Sequence, residues 1–243
     1  MNFTFDFENK RQKNKKSSRV KGIFGKCTSD ECVLRNSLEI HEIRVGTRIL
    51  RYCSNESPPE TDLIPSVYEG GHKVWECTLD LLEYMSNNSE KFRGKCLELG
   101  CGVALPSILA ALLGSEITLQ DYNKDVLLKT SIPTIKLNGV KCDAFYGDWA
   151  DCTFEAKFDF ILSAETIYSV NNYDSLIDLV YNSLSDCGIF YLAAKSVYFG
   201  LDGSTESFIY YAKDKLKVID RIMIKDLSVN REIILFRKEC VFS

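Results

Sequence analysis

An acid lies in or just beyond each of three apolar runs of this chain. Glu98 sits within Lys95–Leu99, Asp121 follows Ile117–Gln120, and Asp148 follows Cys142–Tyr146 by two residues. Between the first two acids runs Leu97-Glu98-Leu99-Gly100-Cys101-Gly102-Val103-Ala104. Two glycines between an apolar strand and a helix let the backbone approach a ligand where a Cβ would collide. Asp121 lies 21 residues past Gly100, where a carboxylate at the end of the next strand can accept both hydroxyls of a ribose. That chemistry suits a nucleoside-type cofactor. The pattern is Gly100-x-Gly102-x-Ala104, not Gly-x-Gly-x-x-Gly, and no pyrophosphate anchor or hydride-transfer residue is evident. Both features argue against a dinucleotide.

These acids act together only if strands deliver them to one edge of a sheet. Apolar strand signals fall at 95–99, 117–120, 142–146, 158–162 and 189–194, with a final pair at 218–224 and 232–236. Helical signals fall at 74–85, 104–113, 123–137, 173–184 and 206–215. Apolar strands interleaved with amphipathic helices predict an α/β fold: a Rossmann-like, seven-stranded, mostly parallel sheet with helices on both faces. The last pair has no helix between its members, so it should form a C-terminal antiparallel hairpin at the sheet edge. Alternation around Gly46 predicts another hairpin over 38–52. The expected organisation is a basic, disordered tail over 1–30, an extension over 31–72 that caps the substrate and cofactor side, and one domain over 73–243.

A further stretch, Tyr68-Glu69-Gly70-Gly71-His72-Lys73-Val74-Trp75-Glu76-Cys77-Thr78, precedes the glycine loop by about twenty residues. Together with Gln120-Asp121-Tyr122-Asn123, Gly147-Asp148-Trp149, Glu165-Thr166-Ile167-Tyr168 and Lys195-Ser196-Val197-Tyr198-Phe199-Gly200, it resembles the protein histidine methyltransferases. The resemblance spans about 61–240. It implies the class I methyltransferase fold and S-adenosylmethionine as cofactor, with S-adenosylhomocysteine as product. The matching motifs imply cofactor contacts at Val74, Trp75, Glu76, Cys77, Thr78, Glu98, Gly100, Cys101, Gly102, Gln120, Asp121, Tyr122, Asn123, Gly147, Asp148, Trp149, Ser163 and Ala164. In such enzymes the acid at Asp148 faces the adenine amino group, and Trp149 can pack on the ring. Ala104 stands where a glycine is more usual, Asp148 where a glutamate is often found, and His72 where an aliphatic residue is common.

Methyl transfer to imidazole needs no strong base, because a group with a pKa near 6.5 is already largely neutral at pH 7. The site must instead hold one ring N–H so that the other nitrogen presents its lone pair. Glu165 and Tyr168, expected at the carboxyl end of the fourth strand, are the candidate acceptors, with Tyr198 as an outer wall. The resemblance implies a protein substrate, a histidine of a large-subunit ribosomal protein. A protein-lysine methyltransferase of the same superfamily and a non-catalytic, cofactor-binding assembly factor remain alternatives.

Charge is asymmetric. Residues 1–26 carry eight Lys/Arg against two acids, whereas the remainder carries 22 against 32. An acidic body suits a basic partner, and Lys10–Lys21 reads as an import signal, an RNA-touching segment or a solvated tail. The first fifteen residues lack a signal-peptide apolar run, so an intracellular place, cytoplasmic or nuclear, is expected for a monomer. The ten cysteines include no CxxC pair, and the histidines are limited to His41 and His72. No metal site is expected, and most cysteines should serve as small core residues.

Overall fold

The computed structural model describes residues 24–28, 39–54, 70–225 and 229–239. The basic stretch 10–21 and the segment 61–69 lie outside the described residues. Ten strands are described: β1 Gly25–Cys27, β2 Glu39–Val45, β3 Arg48–Ser54, β4 Lys95–Leu99, β5 Glu116–Asp121, β6 Cys142–Tyr146, β7 Phe158–Ala164, β8 Leu184–Lys195, β9 Leu216–Ile224 and β10 Arg231–Lys238. The helices are α1 Glu76–Asn87, α2 Leu105–Leu112, α3 Lys124–Val126, α4 Ile132–Leu137, α5 Tyr173–Ser183 and α6 Thr205–Ala212.

β4 is buried on both sides, and period-two alternation assigns its residues to two cores. Cys96 packs with α1, α2 and α4 through Leu81, Leu82, Met85, Ile108, Leu109 and Ile135. Leu97 and Leu99 pack with α5 and α6 through Leu176, Ile177, Val180 and Phe208. Each fully buried aliphatic or phenyl side chain contributes about 1.5–3 kcal/mol of transfer free energy. Covering both faces therefore holds the parallel strands together. The sheet order is β1-β6-β5-β4-β7-β8-β10-β9. β6, β5, β4, β7 and β8 are mutually parallel, and β10 is antiparallel to both β8 and β9, as the C-terminal hairpin expectation required.

Three details differ from expectation. The sheet has eight strands, because β1 pairs antiparallel with β6 from within the segment read as a disordered tail. That reading is corrected at 24–28: Phe24 stacks on Phe145 at 5.6 Å and meets Phe154 edge-on at 6.0 Å, so a short, basic segment gains apolar partners that no local pattern reveals. The second difference is that the continuous helix expected over 123–137 contains a π turn at Leu127–Ser131. Pro133 causes it, since proline offers no N–H and its ring clashes with the carbonyl four residues back. The third is β8, which begins at Leu184, where polar Ser185 and Asp186 resemble a turn.

The hairpin β2–β3 turns at Gly46, whose φ of 57° suits a two-residue loop. It packs on α4 through buried Leu50 and through the Cys53 N–H, which donates to Thr134 Oγ1 at 3.1 Å. Among the described residues no helix is long and apolar enough to cross a membrane.

Candidate active site

A cavity of about 1250 Å³ opens at the carboxyl ends of β4, β5, β6, β7 and β8, the edge where open parallel sheets bind ligands. Its floor is the turn after β4. Gly100, Gly102 and Ala104 all have positive φ, at 63°, 48° and 65°. A Cβ on Gly102 would stand 3.0 Å from the Gly71 carbonyl oxygen, and one on Gly71 would stand 2.7 Å from Val126 Cγ1. Only a backbone without side chains fits between these walls. Gly70 and Gly71, read in the sequence as part of an extension, thus belong to the cavity, and the Trp75 indole N–H fastens them by donating to the Gly70 carbonyl at 3.0 Å. Ala104 holds its left-handed conformation, at φ 65°, at a cost of roughly 1–2 kcal/mol. From the helix side, the Ser131 hydroxyl in the π turn donates to the Gly102 carbonyl.

The three strand-end acids of the sequence, Glu98, Asp121 and Asp148, all reach the cavity. Asp121 accepts the Gly102 N–H at 2.9 Å and the Asn123 N–H at 3.0 Å. Glu98 accepts the Ser107 N–H at 2.9 Å; burial pushes its pKa up to about 8, against the opposing pull of the Ser107 hydrogen bonds. Asp148 accepts the Ala150 N–H at 2.9 Å. Beside them Val74, Trp75, Thr78, Gly100, Cys101, Gly102, Tyr122, Gly147, Trp149 and Ala164 also line the walls.

Five residues expected to touch the cofactor do not line this cavity. Gln120 is fully buried and ties three loops together: its amide donates to the Gly147 carbonyl at 2.8 Å and its carbonyl accepts the Trp149 indole N–H at 2.7 Å and the Gly100 N–H at 3.4 Å. Ser163 donates to the Leu99 carbonyl at 2.9 Å and lies 2.7 Å from Thr166 Oγ1, so the wall carries Thr166 in its place. Cys77 lies on the buried face of α1, in the core. Asn123 contacts the Asp121 carboxylate through its backbone, and Glu76 faces Lys195 across 3.1 Å. All five act on the lining residues, and sequence spacing cannot separate such support from contact.

The far end of the cavity is built on β7 and β8. Glu165 follows β7 with φ 59°, a strained setting for a non-glycine residue, and its N–H donates to the Ala193 carbonyl at 2.9 Å. Its side chain is buried, yet Oε1 accepts no hydrogen bond. Tyr168 and Tyr198 meet edge-on at 6.4 Å, and both line the cavity. Burial first, and then the neighbouring Glu165 charge, push the Tyr198 phenol and the Cys77 thiol up, so both stay neutral. Gly203 locks the loop after β8 against this turn, since a Cβ there would stand 2.1 Å from the Ile167 carbonyl oxygen. His72 does not line the cavity; its Nδ1 lies 2.6 Å from Thr130 Oγ1, and burial lowers its pKa.

Lys73, Asp151, Thr166, Lys195 and Phe199 also line the cavity and were assigned no role from sequence. For Lys195 a usable signal existed: it ends an apolar strand, as Asp121 does.

These walls fit S-adenosylmethionine. The glycines of the turn would admit a ligand against the backbone, the acids would meet its cationic and hydroxyl groups, and Trp149 would offer a ring to the base. A family model described as lysine methyltransferase matches residues 66–210. A histidine protein methyltransferase 1 homolog of Dictyostelium discoideum is 39% identical over 173 residues, which cover 68% of this chain and 55% of that protein. This chain thus spans about half the length of that relative. Among solved structures, the PH0226 protein of Pyrococcus horikoshii aligns with a TM-score of 0.59 at 16% identity, covering 73% of this chain and 95% of that one. The N-methyltransferase NodS of Bradyrhizobium japonicum, in complex with S-adenosyl-L-homocysteine, aligns at 0.53 and 15%, covering 66% and 88%. These two likenesses show the same class I fold. Because the family match runs over residues 66–210, more than half of the chain, the chain belongs to this methyltransferase family.

Proposed function

We propose that the chain is an S-adenosylmethionine-dependent protein-histidine N-methyltransferase whose substrate is a basic large-subunit ribosomal protein. Asp121 would hold the ribose hydroxyls, Asp148 and Trp149 the base, and the Gly100–Gly102 backbone the amino-acid end. When bound, the cofactor supplies an electrophilic methyl group on a sulfonium.

The observation that carries the histidine reading is Glu165 Oε1, a buried carboxylate oxygen that accepts no hydrogen bond from the protein, its cation Lys195 Nζ standing 3.8 Å away, beside Tyr168 and Tyr198 at the far end of the cavity. A desolvated acceptor with no donor is costly unless a ligand supplies one. An imidazole N–H is such a donor. Held there, the ring turns its other nitrogen, with its lone pair, toward the methyl group. With the cofactor bound, the new N–C bond would form as its C–S bond broke, leaving a neutral thioether and placing the positive charge on the ring. Glu165 stabilises that charge until the N–H proton leaves. Orientation in a closed site supplies most of the acceleration, since effective molarities of about 10⁵ M and above follow from alignment alone. The Dictyostelium relative's name supports the histidine acceptor, whereas the family description favours a second reading, lysine.

Incubation of the full chain with S-adenosylmethionine and large-subunit ribosomal protein, followed by mass spectrometry of the product peptides, separates the two. Methylhistidine is expected. A methyl group on lysine or arginine, with histidine untouched, would end the histidine reading.

A further inference from the structure

Lys195, the last residue of β8, enters the acceptor end of the cavity. Its Nζ lies 3.1 Å from Glu76 Oε2 and 3.8 Å from Glu165 Oε1. It also stands 6.0 Å from the centre of the Trp75 ring, and Lys73 Nζ lies 4.6 Å from the same ring. Of the other ionisable neighbours, Cys77 and Tyr198 are held neutral, and Arg231, which pairs with Lys195 across β8 and β10, is itself bound to Asp80 at 2.5 Å. Four elements therefore meet at one ammonium: the strand that carries Lys195, the helix start that carries Glu76 and Cys77, the turn of Glu165, and the Tyr198 loop.

A lysine beside a methyl-transfer site could be the acceptor, a base or a fixed cation. The first two roles require a neutral amine. Burial lowers the Lys195 pKa, but the hydrogen bond to Glu76 and the charges of Glu165 and Glu76 outweigh it and hold the group above its ordinary value. Only the fixed cation remains. A free lysine substrate with a pKa near 10.4 is neutral in roughly one molecule in 2500 at pH 7, so a lysine-modifying site must receive an ammonium and deprotonate it. A bare buried carboxylate at Glu165 would be its natural counter-ion. Here that counter-ion position is already taken from within the chain.

We propose that Lys195 determines acceptor choice: its ammonium occupies the place beside Glu165 that a substrate lysine would need, and so leaves the site open to an uncharged imidazole. The proposal rests on the histidine reading above. It also predicts the sign of a pH effect. A neighbouring cation disfavours imidazolium, so removing it raises the acceptor's pKa and moves the acid limb of the turnover profile to higher pH.

The test uses the segment whose histidine the wild-type chain modifies, synthesised once with histidine and once with lysine at the acceptor position. Turnover of both peptides is measured with wild type, Lys195→Met, which keeps the apolar stem without charge, and Lys195→Arg, which keeps the charge. The lysine-to-histidine ratio should rise at least about tenfold in Lys195→Met and stay near wild type in Lys195→Arg. The acid limb should move up only in Lys195→Met. Thermal melts and cofactor affinity verify folding, and Lys195→Gln reads the same ratio if the methionine variant does not fold. A wild-type enzyme that prefers the lysine peptide overturns the histidine reading and this inference together. A wild type that prefers histidine, with a ratio unmoved in a folded charge-free variant or with both activities lost at intact cofactor affinity, overturns only the inference.

Discussion

Asp121 serves the chain before it serves a ligand. Its two carboxylate oxygens accept the Gly102 and Asn123 N–H groups, so the glycine loop and the next helix start are set by the same side chain proposed to hold the ribose. Asp121→Ala should therefore weaken cofactor binding at least about tenfold. Hydrogen bonds to a charged group are worth about 1.5–3 kcal/mol each, and 1.4 kcal/mol is tenfold. Calorimetric titration with S-adenosylhomocysteine measures it, and an unchanged affinity would remove Asp121 from the site. Glu165 shows a different relation between residue and role. Its unusual φ and its buried oxygen without a donor are both costly in isolation. Such costs persist where surrounding structure enforces them, here through the Ala193 carbonyl and the Gly203 loop.

At the scale of elements, β1 is the strand that local pattern missed. Three residues cannot be a stable strand by propensity, but Phe24 meets Phe145 and Phe154 at the start of this one, and Phe154 in turn meets Phe158. Aromatic pairs contribute about 0.5–1.5 kcal/mol beyond area burial. Phe24→Ala should lower the melting temperature by about 3–6 °C, from a loss of about 1.5 kcal/mol at roughly 2–4 °C per kcal/mol for a domain of this size. Differential scanning calorimetry checks this. An unchanged melt would mean that the strand adds nothing to the fold. The π turn has the opposite origin, since a single proline disturbs a helix whose apolar spacing is otherwise regular, and the disturbance carries Ser131 to the glycine loop.

For the molecule as a whole, the acidic excess beyond residue 26 would attract the basic substrate proposed above over long range. Raising ionic strength from about 0.05 to about 0.3 M shortens the screening length from roughly 14 to 6 Å. The KM for a ribosomal protein substrate should rise at least about threefold over that range, while cofactor affinity, set by contacts inside the cavity, changes far less. Steady-state kinetics at several salt concentrations measure both. A KM indifferent to salt would show that the charge of the body does not steer the substrate.

Much of this architecture is local in origin. Hydrophobic periodicity placed β4, β6 and the C-terminal hairpin within two residues of their ends, because each is a short apolar run with its own boundaries. Gly100, Gly102 and Asp121 were likewise legible, since a sharp turn and a strand-end acid are properties of a few adjacent residues. Tertiary structure alone decided which residues reach the cavity and which only support it. Gln120 and Asp121 are neighbours in the chain, yet one braces three loops from beneath while the other faces the ligand space. The pairing of Gly71 with Gly102, of Phe24 with Phe145, and of Lys195 with Glu76 and Glu165 joins residues far apart in sequence. Such contacts depend on the order of strands in the sheet, and strand order is a property of the packed molecule that no window of the sequence contains.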